Sequence, residues 1–494
     1  MCVWRFSSVY FISIATILGT GILGLPVTLY NCGFLPFFVV FTVVLFAQIC
    51  VVFAFVELLQ RTDASLSKLT TELHPINTSN VEAVDFQLIT DSSINRTATE
   101  QTEDSSTGKK FPHTSISSVR GTTLSEGKPA ASLFTMSALY LKNPLIRFLF
   151  ELTVLVHFVS IMTSYALAAP QSFRQFFGLD VSNSFTTTLL FVLLCSFLVC
   201  FVLPGALNVV SIATALKGSI LIVLIALVTT VSLRVGQSFQ NRFNYLFDSF
   251  LIGTVSLGSV VNIMPVTWSQ LGSQKDNRTV KLYRISVVLA VVTCYILCTV
   301  WCLAILLVVP QSSSVDSLQT AYKLGQISTI PLVSQLHQVN SIPNVVSFLV
   351  NGFICLSTTV SFLVMGSGLK SALDGLAFRW TRLETNEAVF SPRWKRLGEN
   401  KIRGVLYFCS FGLIALLAAS NPHSFMRVLE GFTSLCLNTE SGLFVGWMLL
   451  SSSSVINSME LMLPMRKNTI VILGYFIEVF FALAIATSVI YLSF

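Results

Sequence analysis

Charge is what this sequence has least of. Only 11% of its 494 residues are Asp, Glu, Lys or Arg, against roughly 25% in a soluble globular chain. Histidine is sparse, five in all, and no H-E-x-x-H or compact Ser/His grouping is present, so a hydrolytic or metal-dependent enzyme is not indicated. A phosphate-binding loop is also missing. The nearest approach, Gly121 to Gly127-Lys128, has five residues between the glycines instead of four, and Pro129 stands where Ser or Thr belongs. That excludes an ATP-driven pump. No ring of like charges marks a channel pore. The net charge of +7 is not gathered into a basic stripe, so nucleic acid is not expected as a partner.

What the chain has instead is apolar sequence: 53% of it is hydrophobic and the mean hydropathy is +0.76. Crossing a bilayer takes about 20 predominantly apolar residues per helix, and such runs recur almost end to end. They predict eleven spans, at 8–31, 35–58, 144–169, 186–204, 207–232, 247–270, 284–309, 343–371, 403–419, 424–450 and 469–492. The first is too long, and too poor in basic residues before it, for a signal peptide. The eleven cysteines lie mostly inside these runs. Cys294, Cys298 and Cys302 fall on one helical face, where buried thiols pack as small hydrophobes; neither a disulfide framework nor a metal site is suggested.

The connections test this count. With the N-terminus inside, 24 basic residues fall in inner segments and five in outer ones, with Lys217 left within the bilayer. That is the bias of the positive-inside rule. It puts the C-terminus on the extracellular or luminal side, with plasma membrane and endolysosomal membrane both open. The domain reading is 1–59 as spans one and two, 60–143 as a cytoplasmic and mostly disordered loop, 144–233 as spans three to five, 247–450 as spans six to ten and 469–492 as span eleven. The loop is rich in Ser, Thr, Asp and Glu and poor in aromatics. Three glycosylation sequons, at Asn77, Asn95 and Asn277, lie on the inner side and are expected to be unused. The outer segment 311–342 has Leu318, Tyr322 and Leu324 spaced for one helical face.

Two spans carry interruptions. The first reads Leu18-Gly19-Thr20-Gly21-Ile22-Leu23-Gly24-Leu25-Pro26, and the sixth reads Gly253-Thr254-Val255-Ser256-Leu257-Gly258-Ser259-Val260-Val261-Asn262-Ile263-Met264-Pro265. Glycine and proline weaken a helix, and in hydrocarbon a broken helix survives only where it is buried or lines a cavity. Close packing through small residues is the other reading. Paired breaks at matching places in two halves point to a transporter binding site. Five spans per half is an odd number, so the second half must be inverted. Free N–H groups at the start of the second half-helix suit a carboxylate, and carbonyls at the sixth-span break suit a cation. A zwitterion would satisfy both, provided the breaks lie within about 10 Å of each other, roughly two turns of helix.

At the first break, Gly19-Thr20-Gly21-Ile22-Leu23-Gly24-Leu25-Pro26 resembles the G-[ST]-G-I-L-x-[LM]-P signature of the amino acid/auxin permease family, within the amino acid–polyamine–organocation superfamily. The long polar loop after span two and the Pro265 context look most like the transmembrane protein 104 group. The resemblance implies an all-α membrane protein of leucine-transporter type: eleven transmembrane helices, a five-plus-five inverted repeat with helices 1 and 6 interrupted, and one extra helix. It implies secondary-active transport of an amino acid or similar zwitterion, coupled to H+ or Na+ and needing no cofactor. Carried over by position, Gly19, Thr20 and Gly21 with Gly258, Ser259 and Asn262 would bind substrate, and Ser357, Thr358 and Thr359 on span eight would hold a sodium ion. Hydroxyls bonded back to their own helix are the alternative for the last three. In some proton-driven members a span-five lysine fills the sodium position, and Lys217 has two readings: that role, or a lysine snorkelling to the inner interface. Glu440, with Asn438 beside it on span ten, is a candidate proton site or cation partner, while Glu151, His157, Glu430 and Glu478 read as structural. A non-transporting amino-acid sensor on the same scaffold stays open, because a fold does not fix a function.

Overall fold

A computed structural model describes residues 2–73, 131–177, 184–272, 275–312, 315–338, 343–380, 399–420, 428–455 and 461–493. The chain divides into a helical body, residues 1–63 with 130–494, and a second unit, residues 64–129. Of the second unit, residues 64–73 are described and are helical. The described residues contain no strand.

In chain order the helices are α1 (Cys2–Ile17), α2 (Thr20–Cys32), α3 (Phe34–Leu73), α4 (Leu133–Tyr140), α5 (Pro144–Phe177), α6 (Ser184–Phe197), α7 (Leu203–Val235), α8 (Leu246–Gly258), α9 (Met264–Ser269) and α10 (Asn277–Leu306). They continue with α11 (Leu318–Lys323), α12 (Thr329–Gln338), α13 (Pro343–Phe378), α14 (Glu399–Ser420), α15 (Ser434–Leu437), α16 (Val445–Val455) and α17 (Lys467–Ser493). Among the described residues, nine segments are long and apolar enough to cross a membrane. The chain is therefore an integral, multi-pass membrane protein.

The difference from eleven has a local cause. The first expected span is two helices, α1 and α2, each too short to be counted alone. The tenth, 424–450, starts among residues outside those described and then alternates π-helical and α-helical turns: Val428–Thr433, α15, Asn438–Phe444 and α16. Other boundaries also move. The segment expected as a loop at 60–143 is helical at both ends, through α3 to Leu73 and through α4, and its residues 74–130 lie outside those described. The expected outer helical face is corrected too. Leu318 is buried and Tyr322 packs on Tyr30 with ring centroids 5.0 Å apart, but Leu324 follows the end of α11 and is exposed.

Burial sorts the helices. Of the apolar window in Ser249–Ser269, 94% is buried, against 28% in Phe185–Val202, Asn400–Ser420 and Lys467–Ile490. The sixth span is thus the centre of the bundle. The peripheral helices turn Phe, Leu and Ile outward, among them Phe408, Leu190 and Ile472, as lipid contact allows. α1 packs on α10 and α7, α2 packs on α8, and α13 lies across α5 and α7. Outside the bilayer, Asp276 caps α10 by accepting from the Thr279 backbone N–H at 2.9 Å, and the Thr279 hydrogen bonds hold its carboxyl below the usual carboxylate range.

Candidate functional site

The break between α1 and α2 is two residues long and lies in the core: Ile17, Leu18 and Ile22 are all buried. Leu18 still donates its N–H to Ile14, and α2 then starts after Gly19 with no side chain capping it. A helix that stops inside a membrane leaves its last carbonyls without helical partners, and here other helices supply them. Ser361 Oγ, on α13, donates to the Ala15 carbonyl at 2.8 Å, and Ser357 Oγ donates to the Leu18 carbonyl at 3.0 Å. Lys217 Nζ, on α7, donates to Ser361 Oγ at 2.9 Å and to the Ala15 carbonyl at 3.3 Å.

Lys217 is completely buried and bonded inside the bundle, so the snorkelling alternative is overturned. A cation at this place faces the negative end of the α1 dipole, which offsets part of the cost of its burial. Of the three span-eight hydroxyls expected here, only Ser357 is brought to the break. Thr358 Oγ1 donates back to Ile354 at 2.9 Å and Thr359 Oγ1 to Cys355 at 2.7 Å, the self-satisfying pattern of hydroxyls in helices. Sequence reasoning passed over Ser361. Its position four residues after Ser357, on the same helical face, was the available signal.

The sixth-span break is a tightening of the helix. After α8 the chain makes a 3-10 turn over Ser259–Asn262 and resumes as α9 with Pro265 in its first turn. Ser259 Oγ is taken by the Val255 carbonyl at 2.8 Å. Asn262 Nδ2 donates to the Ser259 carbonyl at 3.3 Å, while Asn262 Oδ1 has no partner among the described residues. The Met264 carbonyl accepts from Tyr283 OH at 2.9 Å.

The two interrupted spans touch beside their breaks. A Cβ on Gly21 would collide with Ser256 and lie 2.9 Å from its Cα, so α2 and α8 meet backbone to backbone. On the other side of the first break, a Cβ on Gly19 would collide with the buried Tyr165 ring. Gly258 lies against Gln48 and Leu437, with Gln48 Nε2 only 2.9 Å from where a Cβ would stand. Both polar atoms of the Gln48 side chain lack protein partners. Trp301 Nε1 donates to the Ile22 carbonyl at 3.1 Å. The side chain of Thr20 lies outside the described residues.

Glu440 belongs to a separate cluster. Its Oε2 is 2.6 Å from His157 Nδ1 on α5, and both side chains are fully buried. Residues 283 apart in sequence make this pair, and no local pattern could have joined them. Glu151 instead pairs with Arg379 and accepts from Ser137 Oγ at 3.1 Å. Cys294, Cys298 and Cys302 are buried on α10, and the described residues include no group of three His, Cys, Asp or Glu arranged for a metal ion.

Toward the end of the bundle where basic residues concentrate, polar links tie the elements together. Glu57 and Arg61 pair at 2.9 Å on α3, Arg61 also donates to the Ser452 carbonyl at 3.0 Å, and Met465 N–H donates to Glu57 at 3.3 Å. Lys275 pairs with Asp63 at 2.6 Å and lies 4.8 Å from the Trp268 ring centroid. Arg5 donates to the Leu271 carbonyl at 3.3 Å.

The profile of the tryptophan/tyrosine permease family matches residues 5–88, which contain most of α1, the first break, α2 and α3. Comparison with curated protein sequences gave no match. Among solved structures, a manganese transporter of Eremococcus coleocola, crystallised with an aromatic bis-isothiourea-substituted compound, is similar at 11% identity. That alignment covers 98% of this chain and 87% of the other, with a TM-score of 0.46. The apolar helices together with the permease match support a membrane transporter.

Proposed function

We propose that this chain is a secondary-active transporter of amino acids or similar small zwitterions, working by alternating access and coupled to protons. The observation that carries the reading is the buried Lys217 ammonium bonded at the end of a broken first helix. A cation-binding corner made from the Ala15 and Leu18 carbonyls and the Ser357 and Ser361 hydroxyls would otherwise suit a metal cation. With the lysine there, loss of its proton would remove the charge and loosen α1 from α7 and α13, which makes a proton the favoured coupling ion over sodium. Substrate would bind where the breaks meet, its carboxylate toward the uncapped start of α2 at Gly19, Thr20 and Gly21, and its ammonium toward Gly258, Ser259 and Asn262. The orphaned Asn262 Oδ1 supplies an acceptor at that place.

On this reading the scaffold is a five-plus-five inverted repeat with an additional helix, akin to the amino acid/auxin permeases, and the chain is not an enzyme. The N-terminus and the 60–143 segment face the cytoplasm, and the lipid bilayer and a small solute are its partners. The links of Arg5 to Leu271 and of Lys275 to Asp63 would close the inner side and part when the site opens inward. Purified protein in liposomes, given an amino-acid panel under separate pH and sodium gradients, tests this. Uptake driven by the pH gradient alone supports it. Uptake driven only by sodium removes the proton role. Saturable binding without uptake of any solute means a sensor on the same scaffold.

A further inference from the structure

Between α5 and the π-helical turns Asn438–Phe444, His157 and Glu440 form a buried pair 2.6 Å apart. Among the described residues, His157 Nε2 and Glu440 Oε1 have no partner although both side chains are fully buried. Buried polar atoms of native proteins are nearly always bonded, and a π-helical insertion in an α-helix commonly marks a functional place. Asn438 Oδ1 and Ser441 Oγ, in the same π-helical turns, are also unpartnered. Gly442 in those turns allows close approach to Phe481 of α17, since a Cβ there would collide with that ring.

Charge bookkeeping decides what such a pair can do. With one proton between Nδ1 and Oε2 and a second on Nε2 the pair is net neutral, the state a low-dielectric interior favours. Losing that proton leaves a buried carboxylate beside a neutral imidazole, a net charge of minus one. That state is tolerable only once water or a cation reaches the two open atoms. Among the described residues, no second ion pair brings a substitute charge to Glu440. On the elements packed around the pair, Glu151 is held by Arg379, Lys370 donates to the Cys200 carbonyl, and Asp374 is held by Tyr407 and Arg403. Cys436 lies one turn before Glu440, and Glu478 of α17 sits beside Gly446 and is only partly buried. The side chains of Asp248 and Glu430 lie outside those described. Among the described residues, His157 is the one ion-pair partner of Glu440.

We propose that His157 and Glu440 are a single proton-exchange site, separate from Lys217, which keeps one shared proton while buried and gives it to water when the bundle opens at Glu440 Oε1 or His157 Nε2. As a link to solute movement it rests on the transporter reading, but proton exchange can be measured without any solute. The test is a pH titration of the full-length protein in liposomes, followed by infrared difference spectroscopy of its carboxyl groups across about pH 4 to 9, where carboxylic and imidazole groups exchange protons. The expected result is a titrating carboxyl band that vanishes in Glu440→Gln and shifts its midpoint in His157→Gln, with both variants eluting and melting like the parent. An identical difference spectrum in the parent and Glu440→Gln overturns the proposal. If neither variant folds, Glu440→Asp, which keeps a carboxyl, is read instead, and a carboxyl band unmoved from the parent's overturns the proposal. A titrating dyad in a protein that moves no solute leaves the proton site standing and sinks the transport reading.

Discussion

At the scale of single residues, the first helix break is held by groups that replace missing helical partners, and this sets what substitution should do. Lys217→Ala removes the ammonium from the α1 terminus while Ser361 and Ser357 still reach their carbonyls. The expected outcome is folded protein whose uptake varies less with pH than the parent's; a pH profile unchanged from the parent would refute the coupling role. Arg61 is a different kind of cation. It is bonded to Glu57 and to the Ser452 carbonyl inside the bundle, and removing one partner of a buried pair costs about 3–5 kcal/mol. Arg61→Ala should therefore lower the melting temperature in detergent clearly, whereas an effect within scatter would mean that water already reaches Glu57. Lys217 was visible in the sequence as a charge at membrane depth, but its partners come from α1 and α13, distant in sequence, and could not be read there.

At the scale of elements, the close meeting of α2 and α8 is what joins the two interrupted spans into one place. It depends on a position without a side chain. Gly21→Ala would press a methyl group into Ser256, and overpacking of that kind costs about 1–3 kcal/mol when the backbone must shift. Uptake should fall sharply at near-normal expression. Gly218→Ala, on α7 with nothing near the new methyl, is the matched control and should be neutral or slightly stabilising, since Ala is about 1 kcal/mol the better helix former. Equal effects from the two would break the link between the α2–α8 contact and activity. The interruption in span one was legible from Gly19, Gly21 and Pro26. The interruption in span six was legible as a place but not as a form: Gly258 to Pro265 predict a weakened helix, and only packing decided that it would tighten into a 3-10 turn.

At the scale of the whole molecule, the positive-inside rule turns the charge along the chain into a prediction of orientation. The 24-to-5 bias of basic residues predicts that reporter tags at the N-terminus and within 74–130 are protected from outside protease, and that Asn77, Asn95 and Asn277 carry no glycan. Asn277 has a second reason to be unused. It opens α10, and Thr279, which its sequon needs, is bonded to the Asp276 cap. A glycan at any of the three, detected as a mass shift removed by glycosidase, would invert the topology.

The sequence by itself determined that this protein lives in a membrane, roughly where its helices run, and which two are interrupted. Those properties are local or additive: hydropathy sums over a window of about 20 residues, charge bias sums over loops, and glycine and proline act on their own turn. The tertiary structure decided which polar groups meet. It brought Lys217 to Ala15, Ser357 rather than Thr358 or Thr359 to the break, and His157 to Glu440. The reason is physical. A buried polar atom in a bilayer must find a partner, but many partners satisfy that need equally well, and only the packing of distant helices selects one.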